Sequence, residues 1–285
     1  MKHLLKEGEI SLLLPEGEGG GLSGEVHLIK HRNEKYVVRR CDKLSKAKLY
    51  ESLSQKFEKQ GFLPRLLGRH GKDVFYEYVE GRDLTKKEKM DVFYQIGKIC
   101  AQINKVKVGG SLDKRFKIQI KELETGKFKF NKKESERRKR NKVTNKPKPI
   151  FDKKKAKEIK KVYKLLKQKS RSVLTLDAND VAQGNFRIDK TDKVYFVDIE
   201  AIKSKVRGFG IGKFYLRWGK TPAKQKAFNK GYSSVSSLKF LTTEYNDFIT
   251  LSFLMQRINY GVKIHNKDFF EKELELLDQI LKKYS

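Results

Sequence analysis

Apolar and polar positions fall into short runs over the first forty residues and into longer periodic stretches afterwards. Residues 10–40 read as strand, glycine turn, strand, connection, strand. EVHLIK (25–30) follows a glycine cluster and KYVVRR (35–40) follows the turn-like HRNE, which is a hairpin pattern. A small antiparallel sheet is expected there. Between 45 and 60 the spacing changes: Leu49, Leu53 and Phe57 recur every fourth residue, on one face of an amphipathic helix that Gly61 ends. FLPRLLGRHGKDVFYEYVEGRDL (62–84) predicts two short strands around the GRHGKD turn, and VFYQIGKICAQINKV (92–106) returns to helical periodicity. Further on, the apolar run LTLDA leads into NDVAQGN, and FRID and VYFVD read as the strands of a hairpin. LTTEYNDFITLSFLMQRINYGV (241–262) and DFFEKELELLDQILKKY (268–284) are the clearest later helices, and no internal repeat is visible.

Residues 127–171 change the picture, with about twenty basic residues against four acidic and Pro147 and Pro149 near the middle. The first half is expected to be an exposed loop. The second half has Ile159, Val162, Leu165 and Leu166 at helical spacing and predicts a basic amphipathic helix. The whole chain carries +31, from 66 Lys plus Arg against 35 Asp plus Glu, which favours anionic partners and says nothing about fold. A generally lysine-rich proteome accounts for the charge equally well. At 285 residues with 38% hydrophobic positions, 18 Phe and 12 Tyr, the chain is globular and long enough for a sizeable core. Cys41 and Cys100 stand in no metal-like spacing, which argues against a disulfide framework and a zinc site and suits a reducing cell interior. The apolar run near the start is broken by Lys6, Glu7 and Glu9, and no later run approaches a membrane span, so a soluble cytoplasmic protein without membrane association is expected.

Phosphoryl transfer needs a close cover for polyphosphate, a cation, oxygen ligands for Mg²⁺, and a carboxylate near the acceptor hydroxyl. Each has a candidate, in chain order. In EGEGGGLSGEVHLI, Gly19, Gly20, Gly21 and Gly24 lie between strand patterns, so backbone N–H groups can approach phosphates; a plain glycine-rich hairpin turn explains them as well. Arg39, on the third strand, is a candidate cation and equally a solvated strand-end arginine. Asp180 and Asn185 are separated by VAQG, and Asp198 follows in VYFVDIE. That layout can bring two oxygen ligands to one metal while leaving Asp180 for the hydroxyl. Any one of these carboxylates could be a turn or cap residue, but the three together fit turn chemistry poorly.

These motifs resemble the aminoglycoside phosphotransferase and choline kinase superfamily, small-molecule kinases with a protein-kinase-like fold. GGGLSGEVHLI is similar to their nucleotide-covering hairpin, KYVVRR to the strand with the phosphate-binding base, and residues 62–84 to the segment leading into the hinge. DVAQGNFRI resembles the catalytic loop Asp-x-x-x-x-Asn, VYFVDIEAI the metal-binding strand, and GFGIGKFYLRWGKTPAKQKAFNKGY the approach to a Phe-x-x-Gly-Tyr element. The basic insert and the last two helices lie outside the resemblance.

The resemblance implies an α+β, two-lobe fold: an antiparallel-sheet N-lobe at 1–78 and a mainly helical C-lobe at 79–285 that includes the insert 127–171, with the nucleotide between them. It implies ATP and Mg²⁺ as cofactors. Asp180 would orient or deprotonate the acceptor, Asn185 and Asp198 would hold the metal, and Arg39 would meet the α- and β-phosphates. Glu51 on the following helix is the candidate anchor for Arg39, with Glu58 as rival, and backbone near Glu77 and Val79 would hold adenine. Arg39 stands where the family usually has Lys; Ala178-Asn179 replaces His-Gly before the catalytic Asp; and Ala182 replaces the later His. These departures leave a divergent kinase and a pseudokinase open. Retention of Asp180, Asn185 and Asp198 favours activity.

The expected reaction is therefore ATP-dependent phosphorylation of a small-molecule hydroxyl. The +31 charge repels cationic acceptors at long range and favours a sugar or an anionic metabolite, although Glu244 and Asp247 could build a local cation site. Trp218 and Tyr215 are either acceptor-lining or core. The alternative is a nucleic-acid or ribosome-associated kinase-like protein, RIO-type or pseudokinase, binding through residues 127–171 with Phe128, Phe130 and Tyr163 able to stack on bases. A solvated loop beside a surface helix explains the same segment. The oligomeric state is not legible.

Overall fold

The structure, a computed structural model, describes residues 9–12, 25–85, 87–110, 113–130, 132–140, 142–170, 173–267 and 270–284. The chain has the protein-kinase-like α+β fold, grouped into two compact units: Met1–Ile103 with Ala178–Lys203 and Phe214–Ser236, and Asn104–Asp177 with Ser204–Lys213 and Ser237–Ser285. No described helix is long and apolar enough to cross a membrane.

The first unit is built on a five-stranded antiparallel sheet in the order β1-β2-β3-β5-β4, from β1 (Glu9–Leu12), β2 (Glu25–His31), β3 (Glu34–Arg40), β4 (Leu66–His70) and β5 (Asp73–Glu77). The β2–β3 hairpin pairs Val26 with Arg39 and Ile29 with Tyr36, and β5 continues the sheet by pairing Val74 with Arg39. Period two sends Ile29, Val38 and Phe75 to the same buried cluster. Helix α1 (Leu44–Lys56) buries Ala47, Tyr50, Leu53 and Ser54, and Phe57 just beyond it is buried too. Leu49, expected on that face, is 53% exposed. The buried face instead follows i, i+3, i+6, i+7 and i+10 from Ala47, closer to 3.6 residues per turn than strict steps of four. Gly61 closes the following 3-10 turn in the left-handed region at φ 62°, the conformation glycine adopts without strain.

Short strands β6 (Arg82–Asp83), β8 (Phe186–Ile188) and β9 (Val194–Phe196) form a second antiparallel sheet, with Phe186 opposite Phe196 as the FRID/VYFVD hairpin predicts. Helix α2 (Met90–Asn104) and helix α7 (Pro222–Ser233), the latter preceded in the chain by α6 (Phe209–Arg217), approach at backbone distance. A Cβ at Gly97 would sit 2.0 Å from the Phe228 carbonyl oxygen, and one at Gly231 1.8 Å from that of Tyr94.

The second unit contains helices α3 (Asp113–Thr125), α4 (Lys132–Arg140), α5 (Lys153–Ser170), α8 (Thr243–Lys263) and α9 (Glu271–Tyr284), with most of β7 (Leu174–Ala178) and β10 (Ile202–Val206) paired as a two-stranded sheet. α8 is apolar around much of its circumference because α3, α5 and α9 pack on it. α5 forms as its periodicity predicts, burying Ile159, Val162 and Leu166.

The first half of the basic segment is not simply an exposed loop. It contains α4, which is anchored by one of the few acids in the segment. Glu134 is 9% exposed and lies 3.6 Å from Lys263 Nζ, which also reaches Glu122 at 3.3 Å and the Lys129 carbonyl at 2.8 Å. Arg138 donates to the carbonyl of Lys263 at 2.6 Å. Satisfied buried charges of this kind hold a segment that is otherwise too charged to pack.

Gly97→Ala is expected to lower stability by about 2–3 kcal/mol through overpacking of α2 on α7. Gly109→Ala, whose methyl would meet nothing within 4 Å, should stay within about 0.5 kcal/mol of the parent. Urea unfolding of the two variants measures the contrast.

Candidate active site

β3 brings Arg39, 9% exposed, to a pair of carboxylates that follow β9. Asp198 caps the 3-10 turn Ile199–Ala201, its Oδ1 accepting from the Glu200 amide at 3.2 Å. Arg39 Nη2 donates to the same Oδ1 at 3.1 Å, and Nη1 donates to Glu200 Oε2 at 3.4 Å. Lys46, from the first turn of α1, lies 3.3 Å from the other Glu200 oxygen. Two carboxylates thus face two cations, all within the first unit. The Tyr50 ring packs beside both cations, 5.9 Å from Arg39 Cζ and 5.7 Å from Lys46 Nζ.

Asp198 keeps 25% of its side chain exposed, yet its surroundings are dense enough that burial pushes its carboxyl up. Arg39 opposes that rise, while the charges of Glu200 and Asp180 add to it. Burial also pushes up the Tyr50 phenol and the Cys41 thiol, which makes Cys41 a poor nucleophile.

The loop carrying Asp180 is fixed at several points. Asn185 Nδ2 donates to the Asp180 carbonyl at 2.7 Å, and the Val197 amide donates to the Asn185 carbonyl at 2.9 Å, tying the loop to the residue that precedes Asp198. Trp218 Nε1 donates to the Val181 carbonyl at 2.6 Å, and the Asn179 amide donates to the Ala201 carbonyl at 2.8 Å. With its amide nitrogen engaged, Asn185 has Oδ1 left as a ligand atom. Two buried polar atoms close in sequence to these groups, the Tyr50 hydroxyl and Asn179 Oδ1, meet no hydrogen-bond partner among the described residues. Orphans of this kind mark a place where a polar ligand fits.

The structure brings Arg39, Asp180, Asn185 and Asp198 into one unit but gives Glu51 another partner. Arg69 Nε donates to Glu51 Oε2 at 2.8 Å, while Arg39 pairs with Asp198 and Glu200 among the described residues. Glu58 is exposed. The Glu77 amide donates to the Arg65 carbonyl at 3.0 Å, and Val79 is buried with no inter-element backbone bond among the described residues. Gly19, Gly20, Gly21 and Gly24 lie outside the described residues. Trp218 is core, packed on Phe93 and Phe214, and the Tyr215 hydroxyl donates to Asn229.

In the second unit, Asp247 is engaged by Lys283 Nζ and the Tyr284 hydroxyl, both at 2.6 Å, and so already has cationic and donor partners. Tyr163 stacks on Phe116 at 3.5 Å between centroids and is 7% exposed, which removes it from base stacking. Phe128 packs against the core, while Phe130 stays 38% exposed beneath Arg138.

Three residues escaped the sequence reading. Glu200 was signalled by a second carboxylate two positions after Asp198 in VDIEAI, and Lys46 only by its place in the first helical turn. Asp177, 1% exposed, was visible as the acid inside the apolar strand LTLDA. It accepts from Gly210 N and Asn104 Nδ2, each at 2.8 Å, and burial pushes its carboxyl up to about 6.

The sequence profile of the choline/ethanolamine kinase family matches residues 19–248. The chain therefore belongs to that family of small-molecule kinases, whose transfers end on an alcohol hydroxyl. No curated protein matches it by sequence. Among solved structures it is similar to choline kinase LicA from Streptococcus pneumoniae, at 13% identity and TM-score 0.62, covering 99% of this chain and 96% of that one. It is similar to a Plasmodium vivax ethanolamine kinase at 14% identity and TM-score 0.60, covering 96% and 82%. It also resembles an aminoglycoside phosphotransferase from Alicyclobacillus acidocaldarius at 12% identity and TM-score 0.56, covering 100% and 96%. At these identities the structural likeness shows the fold.

A raised folded-state pKa means the folded protein holds the Asp198 proton more firmly than the unfolded chain does. Stability therefore falls as pH climbs from the unfolded carboxylate value of about 3.9 to the raised folded one. Asp198→Asn removes that loss while Glu200 still holds Arg39. The variant is expected to melt at or above the parent temperature at pH 7, with the gap closing toward pH 4; a markedly lower melting temperature at pH 7 would contradict the electrostatic account.

Proposed function

We propose that the chain is an ATP- and Mg²⁺-dependent phosphotransferase that moves the γ-phosphoryl group to a hydroxyl of a small molecule. The observation that carries this reading is the convergence, within one unit, of the Asp180–Asn185 loop and the Asp198 carboxylate held by the strand-three guanidinium. Asp180 accepts the acceptor hydroxyl's proton as the new O–P bond forms and the bond from Pγ to the bridging oxygen breaks, releasing ADP. Arg39 and Lys46 bind the polyphosphate, with Glu200 holding both cations until the nucleotide arrives.

Asn185 Oδ1 and the Asp198 carboxylate are hard oxygens suited to Mg²⁺, which ordinarily takes one or two protein ligands plus phosphate oxygens and water. When bound, the metal neutralises charge on the β- and γ-phosphates. The orphaned Tyr50 hydroxyl and Asn179 Oδ1 support a polar ligand at this site. On this proposal Gly19, Gly20, Gly21 and Gly24 contact phosphate and the backbone near Glu77 and Val79 takes the adenine, with the division into lobes after residue 78. A cytoplasmic location agrees with ATP supply and with the buried Cys41 and Cys100 thiols, neither in a disulfide.

Two acceptor sets follow from different observations. Family membership points to amino alcohols such as choline and ethanolamine. The +31 charge, with Asp247 already held by Lys283, supports a sugar or an anionic metabolite.

ADP formation with ATP, Mg²⁺ and each acceptor set separates them, since the true class gives acceptor-dependent turnover well above the ATPase background. Asp180→Ala is expected to lower that turnover by about a thousandfold and to change nucleotide affinity by no more than about threefold, or ~0.7 kcal/mol. Undiminished turnover in the variant would remove Asp180 from the mechanism.

A further inference from the structure

α5 carries nine lysines and one acid, Glu158. The packing sorts those lysines into two groups. Lys155, Lys160 and Lys167 reach Asp278, Glu124 and Asp113, and Lys169 lies over the Tyr284 ring at 6.0 Å. Lys153, Lys154, Lys157, Lys161 and Lys164 are all exposed and form no ion pair among the described residues.

At 3.6 residues per turn these five fall within a sector of about 100°. The buried residues Ala156, Ile159, Val162, Tyr163 and Leu166 occupy the opposite side. No acid lies in the lysine sector; Glu158 sits beside it and turns toward Lys155 at 3.8 Å. The flanks of the helix are thus neutralised by neighbouring elements, and the outward face is left as an uncompensated cationic stripe.

We propose that this stripe is a docking surface for the phosphate backbone of nucleic acid. The partner is fixed by charge, shape and the absence of apolar side chains. From Lys153 to Lys164 the helix rises about 16 Å, a length over which one strand of a duplex presents roughly five phosphates. A membrane-surface helix inserts apolar side chains beneath its cations, but the apolar side of α5 is buried in the core of its own unit. The exposed large apolar residues (Leu44, Leu49, Met90, Ile118, Phe130, Val173 and Leu216) are not on this helix. A one-helix-wide row of point charges suits a linear polyanion. With Tyr163 buried and no aromatic residue in the sector, contact is to phosphates, so binding is independent of sequence and steeply salt-dependent.

The test compares the full-length parent with two variants that lose the same charge. One carries Lys→Gln at 153, 154, 157, 161 and 164. The other carries Lys→Gln at Lys30, Lys48, Lys56, Lys59 and Lys72, exposed lysines of the first unit. The probes are random-sequence duplex DNA, duplex RNA of equal length, and phosphatidylserine-containing vesicles, titrated from about 50 to 200 mM salt. Melting temperatures verify that each variant is folded.

The stripe variant is expected to lose duplex affinity by more than tenfold at about 50 mM salt and to flatten the log K against log salt slope by roughly 3–4, while the first-unit variant keeps most of both. Equal losses in the two variants overturn the proposal in favour of bulk charge. Binding to vesicles but to neither duplex overturns it in favour of a membrane surface. No duplex binding by the parent at the lowest salt also overturns it.

Discussion

Asp198 and Glu200 stand two residues apart in a partly buried setting, and two like charges so placed persist only if cations face them. Arg39 bridges both carboxylates and Lys46 takes the remaining oxygen of Glu200, so β3, the start of α1 and the turn after β9 are bound at one point. Much of the first unit can be read as support for that point. The sheet register sets Arg39 between Val26 and Val74, the aromatic ring of Tyr50 lies beside the cations, and the Asn185–Val197 backbone bond locks the Asp180 loop to the residue preceding Asp198. Neutralising Asp198 still leaves Glu200 between the two cations, whereas removing Arg39 leaves Asp198 without its cation partner among the described residues, which is the costly change in a partly buried setting.

Strand and helix positions were legible in the sequence wherever one-sided burial leaves a periodic pattern or, as in α8, an apolar stretch runs through several turns. The β2–β3 hairpin, the strands around GRHGKD, the FRID/VYFVD hairpin, α5 and α8 all follow from periodicity and turn residues. What escaped notice depended on long-range partners. Leu49 fits a four-residue repeat, but the helix turns fast enough to put Ala47 and Tyr50 inward instead. α4 has almost no apolar content, and its anchoring through Glu134 requires Lys263, 129 residues away in sequence. The family resemblance implies an anchor for Arg39 on the helix, yet Arg69 on β4 captures Glu51 and the turn after β9 supplies a carboxylate.

The family assignment and the local chemistry meet at Asp180, Asn185 and Asp198, and they part at the positions around them. Ala178 and Ala182 stand where the resemblance has histidines, and Arg39 stands where it has Lys. A guanidinium offers several donors in a rigid fork, which is why Arg39 can serve Asp198 and Glu200 at once. Under the proposed function the same fork would leave the carboxylates to reach phosphate, and Lys46, 3.3 Å from the other Glu200 oxygen, would keep that carboxylate paired. The arginine in place of lysine and the carboxylate pairing are therefore parts of one electrostatic arrangement.

The measurement closest to this account is the thermal stabilisation of the protein by ATP, with and without Mg²⁺, for the parent and Asp198→Ala side by side. A nucleotide site built on Asp198 predicts a shift that grows with ATP concentration, depends on Mg²⁺ in the parent, and loses its Mg²⁺ dependence in the variant. An Asp198→Ala protein that shifts as much with Mg²⁺ as the parent, or a parent that shifts under no condition, would contradict it.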